Sequence, residues 1–347
     1  MIFNISYLYS NSFYLSYFKI IKRNKQMKTI INIYLLLLII NLINCFKTTK
    51  YDNSIIRPAS HSGTWYQNSP QLLSQEIAQY ISNSKKLNNQ GYVKSIIVPH
   101  AGYRFCGQTM AQSFININPN NYNRVVILGP SHHEYFQGCG LTAFEKFDTP
   151  FGEIKVDTNY IKKLLKNKNL FFEVNKSVDI EEHSIEMELP FLKYIFNKKE
   201  FSIIPIIVGD NDLNTNKKIG NALYELYQDK NTLFVISSDF CHWGRNFGFT
   251  LYDKKFENIW ESIQDLDKQA LDIIEEIDSE KLDNYFKRTK NTICGRNPIS
   301  IILSIVEKYK NENNKKVEFI KAGYSQSNKV KSLYETSVSY AAVVNFI

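Results

Sequence analysis

The sequence predicts an α/β fold, a sandwich in which a largely parallel central sheet is flanked by helices. From about residue 54 onwards, short runs rich in β-branched residues alternate with segments of helical periodicity. The apolar runs also lack polar residues at alternate positions, which indicates strands that are buried on both faces beneath helices. Residues 54–347 are therefore expected to form a single α/β domain.

Six apolar runs predict the strands of this sheet. Each is rich in β-branched or aromatic residues, which suit a pleated and buried surface. The runs are KSIIV (94–98), RVVIL (124–128), IIPIIV (203–208), TLFVIS (232–237), VEFI (317–320) and SVSYAAVVN (337–345). Helical patterns alternate with them, which suits a largely parallel sheet.

Eight segments have the periodicity of helices, and their apolar stripes indicate helices that cover the sheet with one face. The clearest stripe has i, i+3, i+4, i+7 spacing and consists of Phe256, Ile259, Trp260, Ile263, Leu266, Ala270, Ile273 and Ile277. The predicted helices lie near residues 70–84, 107–116, 158–166, 184–197, 214–228, 254–277, 279–288 and 298–310.

The net charge of +8 comes almost entirely from the first fifty residues. They carry seven lysine or arginine residues and no acidic residue, so 35 of the 42 basic residues remain for the body against all 34 acidic ones. A body with almost no net charge lacks the electrostatic footprint of a polyanion-binding protein. Nucleic acid is therefore not an expected partner.

The N-terminal region contains the apolar run IINIYLLLLIINLI, residues 30–43, behind Lys28. Its fourteen residues are fewer than the roughly 20 of a membrane span, but they suit the apolar region of a signal peptide. Residues 28–45 thus predict a signal peptide or signal anchor within an extension, residues 1–53. The alternative is an extension that is never translated or never ordered. Membrane contact is expected only through this segment, if it stays uncleaved.

The five cysteines do not form a recognisable disulfide framework. They are odd in number, without a close pair or a CxxC motif, and are Cys45, Cys106, Cys139, Cys241 and Cys294. Four of them lie in the α/β body, each at a different place in its pattern.

Histidines follow three of the predicted strands directly. His100 ends the segment SIIVPH, His132 and His133 end VVILGPSHH, and His242 follows FVISSDFC. In open α/β sheets, the ligand crevice lies outside the carboxyl ends of the strands. A single histidine there is more often a hydrogen-bonded turn residue, but three strand ends that behave alike indicate a site. The sequence therefore predicts a functional cluster at this edge of the sheet.

Two imidazoles and one anionic ligand make a three-ligand metal site with open positions. His100 and His132 supply the imidazoles, and two residues compete for the third position. Asp239 would complete the two-histidine, one-carboxylate set of non-haem Fe(II). Cys294, in NTICGRNP (291–298), would give a softer set that favours copper or zinc. The spacing alone does not choose between them.

Six motifs in one order resemble the MEMO family, named as mediators of receptor-driven cell motility. They are ASHSGTWY (59–66), VPHAGYRFCG (98–107), ILGPSHH (127–133), EEHSIEMELPF (181–191), SSDFCHWG (237–244) and NTICGRNP (291–298). The resemblance runs from about residue 54 to the C-terminus, includes the closing SVSYAA (337–342), and leaves out the tail. That family looks like the class III extradiol (LigB-type) dioxygenases in fold. The resemblance thus implies a LigB-like α/β sandwich with a metal pocket at the strand ends.

The resemblance selects His100, His132 and Cys294 as the metal ligands. Beside them it places Asp239 and His242 as candidate catalytic residues. His242 lies where the dioxygenases keep a general acid or base, and Asp239 is expected to bind the metal or fix the tautomer of a ligating imidazole. Copper or iron is the implied metal, and zinc is also compatible with the ligands. The animal members imply a phosphotyrosine-containing peptide or signalling protein as the partner.

The resemblance also bears on the remaining histidines. His183 stands in an acidic stretch and is expected to start the helix at 184–197, with a place in the pocket as the less favoured alternative. His61 and His133 are expected to support the ligands or to be structural. Asn297 replaces the histidine that the family has after NTICGR, which weighs against a proton relay there but leaves the ligands intact.

The expected function is that of a metal-binding protein with a redox or metal-homeostasis role, or of a signalling adaptor in cell motility. One alternative is an active extradiol-type dioxygenase, but a thiolate ligand is itself oxidisable and favours softer metals than Fe(II). Another is a peptide-binding module without metal chemistry, in which Arg104 and Arg296 meet a phosphate or carboxylate. Ring cleavage is not expected, and other oxidoreductase activity is left open. The expected location is the secretory pathway if residues 28–45 act as a signal, and otherwise the cytoplasm, as the resemblance suggests.

Overall fold

The computed structural model describes residues 32–37 and 55–347 of the chain. Residues 32–37 are helical, and the rest of the predicted N-terminal extension, with most of its signal-like segment, lies outside the described residues. Within the described ranges, no helix is both long and apolar enough to cross a membrane. Ile55–Ile347 pack as one compact unit.

The predicted strands are all present. In chain order, the described strands are β1 (Ile56–Arg57), β2 (Val93–Val98), β3 (Arg124–Pro130), β4 (Cys139–Leu141), β5 (Lys146–Phe147), β6 (Ile154–Val156), β7 (Phe171–Glu173), β8 (Ser202–Val208), β9 (Thr232–Ser237), β10 (His242–Trp243), β11 (Glu318–Gln326) and β12 (Ser337–Phe346). The six longest coincide with the predicted runs, whereas the others have two or three residues and too little pattern to predict. Strand β11 continues beyond its predicted end because it pairs with β12 up to Gln326.

The eight predicted helices are also present, with shifted ends. In chain order, the described helices of the body are α1 (Pro70–Ser82), α2 (Tyr103–Phe114), α3 (Thr158–Leu164), α4 (Lys176–Glu181), α5 (Leu189–Phe196), α6 (Leu213–Gln228), α7 (Ile259–Glu276), α8 (Ser279–Thr289) and α9 (Arg296–Asn313). Helix α4 was not predicted, because its six residues are too few to show a period.

Two helices begin later than the sequence predicts. Helix α7 begins at Ile259 because Asn258 and Glu261 form a capping box, in which each side chain bonds the backbone of the other. Helix α5 begins at Leu189 instead of residue 184, and Pro190 occupies its first turn, where a missing N–H costs nothing. The apolar pattern thus located both helices, but local hydrogen bonds set their first residues.

The sheet is largely parallel at its centre, as predicted. Its strands run in the order β1-β5-β6-β8-β3-β9-β2-β12-β10, while β11 pairs with β12 and β4 pairs with β7 and β8. The four central strands, β8, β3, β9 and β2, are mutually parallel, and β12 joins β2 in the antiparallel sense. Helix α9 packs on α6 and contacts β3 and β9, whereas α2 packs on α1 and contacts β2 and β12. The sheet is therefore flanked by helices.

The register of the central strands brings three carboxyl ends together. Val98 of β2 lies level with Ser237 of β9, and Leu128 of β3 lies level with Ile236 of the same strand. The segments that leave these ends carry four of the six histidines of the chain. The fold thus gathers imidazoles that are far apart in sequence at one edge of the sheet.

Candidate metal centre

His100, His132 and Cys294 meet at this edge of the sheet. Each offers one ligand atom, and the three atoms lie within 4.8 Å of one another. The Sγ atom of Cys294 is 3.2 Å from Nε2 of His100. His100 is buried, His132 is exposed, and Cys294 is intermediate. The structure therefore brings together the three residues that the resemblance selects.

A serine hydroxyl orients the His100 imidazole. Oγ of Ser237 lies 2.6 Å from Nδ1 of His100 and 2.6 Å from the carbonyl oxygen of Ser184. A carbonyl can only accept, so the Ser237 hydroxyl donates to Ser184 and accepts the Nδ1 proton of His100. Nε2 of His100 therefore carries the lone pair, which faces Sγ of Cys294. Oε1 of Glu188 lies 2.9 Å from the same hydroxyl, and burial raises the pKa of Glu188 well above its usual value.

A carboxylate orients the His132 imidazole. Oε1 of Glu182 is 2.9 Å from Nδ1 of His132, and Oε2 accepts the backbone N–H of the same histidine at 2.7 Å. Burial alone would raise the pKa of Glu182, but the hydrogen bond and charge of His132 help to lower it to about 2. The ionised carboxylate therefore accepts the Nδ1 proton, which leaves Nε2 of His132 as the free nitrogen.

Asp239 supports the His100 backbone. Its Oδ1 atom accepts the backbone N–H of His100 at 2.8 Å, and its carboxylate is buried. Burial raises the pKa of Asp239, although the nearby His242 opposes this shift. Of the two candidates for the third ligand position, the structure places the sulfur of Cys294 with the imidazoles. The ring of His100 is oriented by Ser237, a residue that the sequence did not single out.

His242 follows the carboxyl end of β9 and begins the short strand β10. Its Nδ1 atom lies 2.9 Å from the carbonyl oxygen of Phe240 and 3.1 Å from that of Thr292. Because both partners only accept, Nδ1 carries the proton and Nε2 is the basic nitrogen. The ring also packs edge-on against Phe247, at 5.2 Å between centroids.

The prediction that His183 starts a helix is wrong. The following helix begins at Leu189, and the His183 ring lies in the pocket, with centroids 4.4 Å from His132 and 5.3 Å from His100. Burial and the neighbouring imidazole of His132 lower the pKa of His183 to about 3. The available sign in the sequence is the density of acidic residues in EEHSIEME, because buried carboxylates such as those of Glu182 and Glu186 need imidazole or guanidinium partners.

His61 joins the cluster from the N-terminal side, and Glu186 holds it. Glu186 accepts from the backbone N–H of His61 at 2.8 Å and lies 2.9 Å from its Nδ1 atom. The centroid of the His61 ring is 5.9 Å from that of the His183 ring, so His61 packs beside the histidines of the pocket. His133 is more exposed and lies 4.0 Å from the carboxylate of Glu181.

A cleft of about 360 Å³ opens beside His132 and Cys294. Lys290 and Arg296 contribute to its lining. The guanidinium of Arg296 donates to the carboxylate of Asp210 at 2.5 Å and remains half exposed. The cleft therefore joins the imidazole and thiol groups to a charged rim, which also includes Asp210.

Arg104 and Asn297, which the sequence analysis also names, differ in their position relative to this cleft. Arg104 does not line this cleft, and its guanidinium lies over the ring of Phe105. Asn297 does line it, and its amide donates to the carbonyl oxygen of Gly209 while accepting from Asn216. These hydrogen bonds give Asn297 a structural role at the wall of the cleft.

Replacing Gly295 by alanine is expected to weaken metal binding at least about tenfold, a loss of the size seen when groups that orient ligands are removed. The added Cβ would lie 2.3 Å from Cβ of Ser238 and 2.8 Å from the carbonyl oxygen of Ser237, so Cys294 must shift. Gly102→Ala is the control, because its Cβ has no neighbour closer than 3.4 Å. Metal titration of both variants checks this, and equal affinities would contradict it.

The comparisons with known proteins agree on one family. A family model described as Memo-like protein matches residues 57–344. The Caenorhabditis elegans protein memo-1 homolog is 39% identical over 292 residues, which covers 84% of this chain and 83% of the relative. The Saccharomyces cerevisiae MEMO1 family protein MHO1 is 38% identical, with 83% and 98% covered, and human protein MEMO1 is 37% identical, with 83% and 96% covered.

Among solved structures, an uncharacterized protein from Escherichia coli K12 is similar in part. The match has a TM-score of 0.46 and 12% sequence identity, and it covers 71% of this chain and 99% of that chain.

Proposed function

The chain belongs to the Memo-like protein family, and on that premise we propose that it is a metal-binding protein whose cation is held by His100, His132 and Cys294. Copper or iron is the proposed metal, and copper(I) suits the ligands best, because a thiolate with two imidazoles favours soft cations. Zinc is the remaining candidate for the same donor set.

One observation carries the proposal. Three ligand atoms from three separate loops lie within 4.8 Å of one another at the strand ends. Ser237 and Glu182 occupy the Nδ1 atoms of the two histidines, so the Nε2 atoms carry the lone pairs, and that of His100 faces Sγ of Cys294. Such orientation of ligating imidazoles by neighbouring acceptors is what a metal site needs, and the residues present fit a copper or iron ion.

The residues around the ligands have separate tasks in this proposal. A bound copper or iron ion supplies one-electron exchange. His242 accepts a proton at Nε2 from a molecule in the pocket, because its Nδ1 atom is engaged by two carbonyls. Asp239 fixes the backbone at His100, and the burial of that histidine keeps water from one side of the site.

The proposed cellular role is redox or metal homeostasis, or that of a signalling adaptor in cell motility. The cleft beside His132 is the proposed site for a phosphotyrosine-containing peptide or signalling protein. Two cationic side chains of its lining, Lys290 and the half-exposed Arg296, support this proposal because a phosphate group needs charged donors, although Arg296 would have to leave Asp210 to reach it.

Titration of copper(I) against a competing chelator tests the proposal. We expect one tight site per chain and a loss of at least about tenfold in affinity on replacement of His100, His132 or Cys294 by alanine. The control is His133→Ala, because this neighbouring imidazole is partly exposed and outside the ligand group. Unchanged affinity in all three ligand variants would contradict the assignment.

Catechol ring cleavage is not expected from the wild-type chain. Extradiol cleavage requires a hard Fe(II) site with a carboxylate ligand, whereas Cys294 places sulfur beside the imidazoles. Anaerobic loading with Fe(II), followed by protocatechuate and air, should give no sustained ring-opened product. Activity gained by Cys294→Glu would show that the thiolate suppresses the reaction. Sustained wild-type turnover that is lost in His242→Ala would establish the dioxygenase alternative.

A further inference from the structure

A second group of ligand atoms lies directly beside the first. His132, Glu182 and His183 each offer one atom, and these atoms lie within 4.8 Å of one another. We propose that this group is a second cation site, which takes a borderline divalent metal such as zinc. It competes for His132 with the proposed site of His100, His132 and Cys294, which is called the thiolate site below. The competition for His132 rests on the proposed function, whereas cation binding at the second group needs neither His100 nor Cys294.

The geometry identifies the atoms of this second site. Oε1 of Glu182 is 2.9 Å from Nδ1 of His132 and 3.5 Å from Nδ1 of His183. A hydrogen-bond contact runs outwards from the imidazole ring, so Nε2 of His132 lies on the side away from Glu182. His132 therefore presents Nδ1 to the second site and Nε2 to the thiolate site.

The donor set differs in hardness from the first one. Two imidazoles and a glutamate form the ligand set of well-known catalytic zinc sites, and a fourth position stays open in such sites. Exchanging the thiolate for a carboxylate moves selectivity away from copper(I) and towards zinc, cobalt or iron as divalent ions. The two groups thus offer one pocket with two different metal preferences.

The second set is held in place before any cation arrives. Glu182 caps the C-terminal end of α4, and its carbonyl oxygen accepts from the buried guanidinium of Arg57 at 2.7 Å. The carbonyl oxygen of His183 accepts from the backbone N–H of Met187 at 3.0 Å. The Glu182 carboxylate has bonds from His132 and from the backbone N–H of Ser184. Among the described residues, Oε2 accepts one hydrogen bond, from the backbone N–H of His132, so a lone pair remains for a cation.

Sharing of His132 makes the two sites alternatives. A neutral imidazole carries one proton, which sits on Nδ1 when Glu182 accepts it and when Nε2 serves the thiolate site. A cation at Nδ1 requires that this proton move through solvent to Nε2, which removes Nε2 from the first site. No proton is gained or lost by the imidazole in this exchange. Occupation of one site by a single cation therefore excludes the other.

Cobalt(II) is the probe that separates the two sites, because a thiolate ligand gives a charge-transfer band that a carboxylate does not. In Cys294→Ala, we expect one cobalt(II) per chain with visible ligand-field bands and no thiolate band. Adding Glu182→Gln or His183→Ala to that background should weaken cobalt(II) binding at least about tenfold. Glu181→Gln, a matched change at an exposed neighbour, should leave the affinity unchanged.

The outcomes distinguish this inference from the proposed function. Circular dichroism identifies any variant that fails to fold, and His183→Ala provides a second route if Glu182→Gln does so. Absence of cobalt(II) binding in Cys294→Ala would overturn the second site and show that Glu182 serves only to orient His132. Equal cobalt(II) affinity with and without Glu182→Gln and His183→Ala would also overturn it. Loss of copper(I) binding in Cys294→Ala bears on the thiolate site alone.

Discussion

Replacement of Arg57 by alanine is expected to lower the free energy of unfolding by about 3–5 kcal/mol, as for other buried ion pairs that lose one partner. Arg57 is 1% exposed, and its Nε and Nη1 atoms lie 3.1 Å from Asp179 and 2.7 Å from Glu186. Its removal leaves two buried carboxylates without their counter-charge. The loss is large because water cannot replace the guanidinium in this interior.

The same change should disturb the metal centre. Arg57 also donates to the carbonyl oxygens of Ile180 at 3.2 Å and Glu182 at 2.7 Å. These bonds hold the segment that carries Glu182 and His183 against the pocket. We therefore expect Arg57→Ala to weaken metal binding as well as lower stability.

The loss in the free energy of unfolding caused by Arg57→Ala should depend on pH. Burial alone would raise the pKa of Glu186, but Arg57 and His61 lower it to about 2 from an ordinary value of 4.5. A depressed carboxylate pKa contributes stability that is present above pH 4.5 and is lost as the pH falls through 2. The difference between the wild type and Arg57→Ala should thus be largest near neutral pH and shrink in acid.

Urea denaturation at several pH values measures this difference. Arg124→Ala is the matched control, because Arg124 also bridges two carboxylates, those of Asp157 and Asp229, but is 28% exposed. A partly exposed pair of this kind is worth only about 0–1 kcal/mol. An equal loss in the free energy of unfolding in the two variants would contradict the claim that the buried ion pairs of Arg57 stabilise the fold more than exposed pairs do.

Lys94 should make the chain more stable in alkali than at neutral pH. It is fully buried in β2, where its ammonium donates to the carbonyl oxygens of Asp229 and Thr232. Burial lowers the pKa of Lys94 from 10.5 to about 7, although the charge of Asp229 opposes this shift. The folded chain therefore releases the Lys94 proton at a lower pH than the unfolded chain does.

The sign of the effect follows from this proton difference. Between pH 7 and pH 10.5 the unfolded chain binds more protons at Lys94 than the folded chain, so stability rises with pH in this window. The full rise is on the order of 5 kcal/mol, at about 1.4 kcal/mol per unit of pKa difference. Below pH 7 both states carry the proton, and the contribution of Lys94 is constant.

Comparison of the wild type with Lys94→Met isolates this contribution, because the other groups that titrate in alkali are common to both chains. The stability of the variant relative to the wild type should be greatest near pH 7 and should fall by several kcal/mol towards pH 10. Lys155→Met, at a side chain that is 69% exposed, should show no such trend. A difference that is independent of pH for Lys94→Met would refute the argument.

The central sheet could be predicted because its strands are uninterrupted apolar runs. β2, β3 and β9 lie where the sequence places them, and the histidines follow their ends as expected. Short strands such as β4 and β10 were missed, because two or three residues pair through tertiary contacts and show no period of their own. Local pattern thus predicts the elements that bury many apolar residues in succession.

The site was predicted only in part, for a physical reason. Spacing left Asp239 and Cys294 as rivals, because the choice depends on how the loop before α9 folds back onto β9. The apolar period after His183 predicts a helix start there, but the Ser184 hydroxyl donates to the carbonyl oxygen of Pro130 and holds this segment against the end of β3. Ser237 and Glu182, which orient the ligands, differ from surface residues only in their tertiary partners.

X-ray absorption at the copper edge tests the central claim most directly, because it identifies the atoms bound to the metal. In wild-type protein loaded with one copper(I) per chain, we expect one sulfur and two nitrogen neighbours, from Cys294, His100 and His132. In Cys294→Ser the sulfur neighbour should disappear. A wild-type spectrum with only nitrogen and oxygen neighbours, or a sulfur signal that persists in Cys294→Ser, would contradict the proposed metal centre.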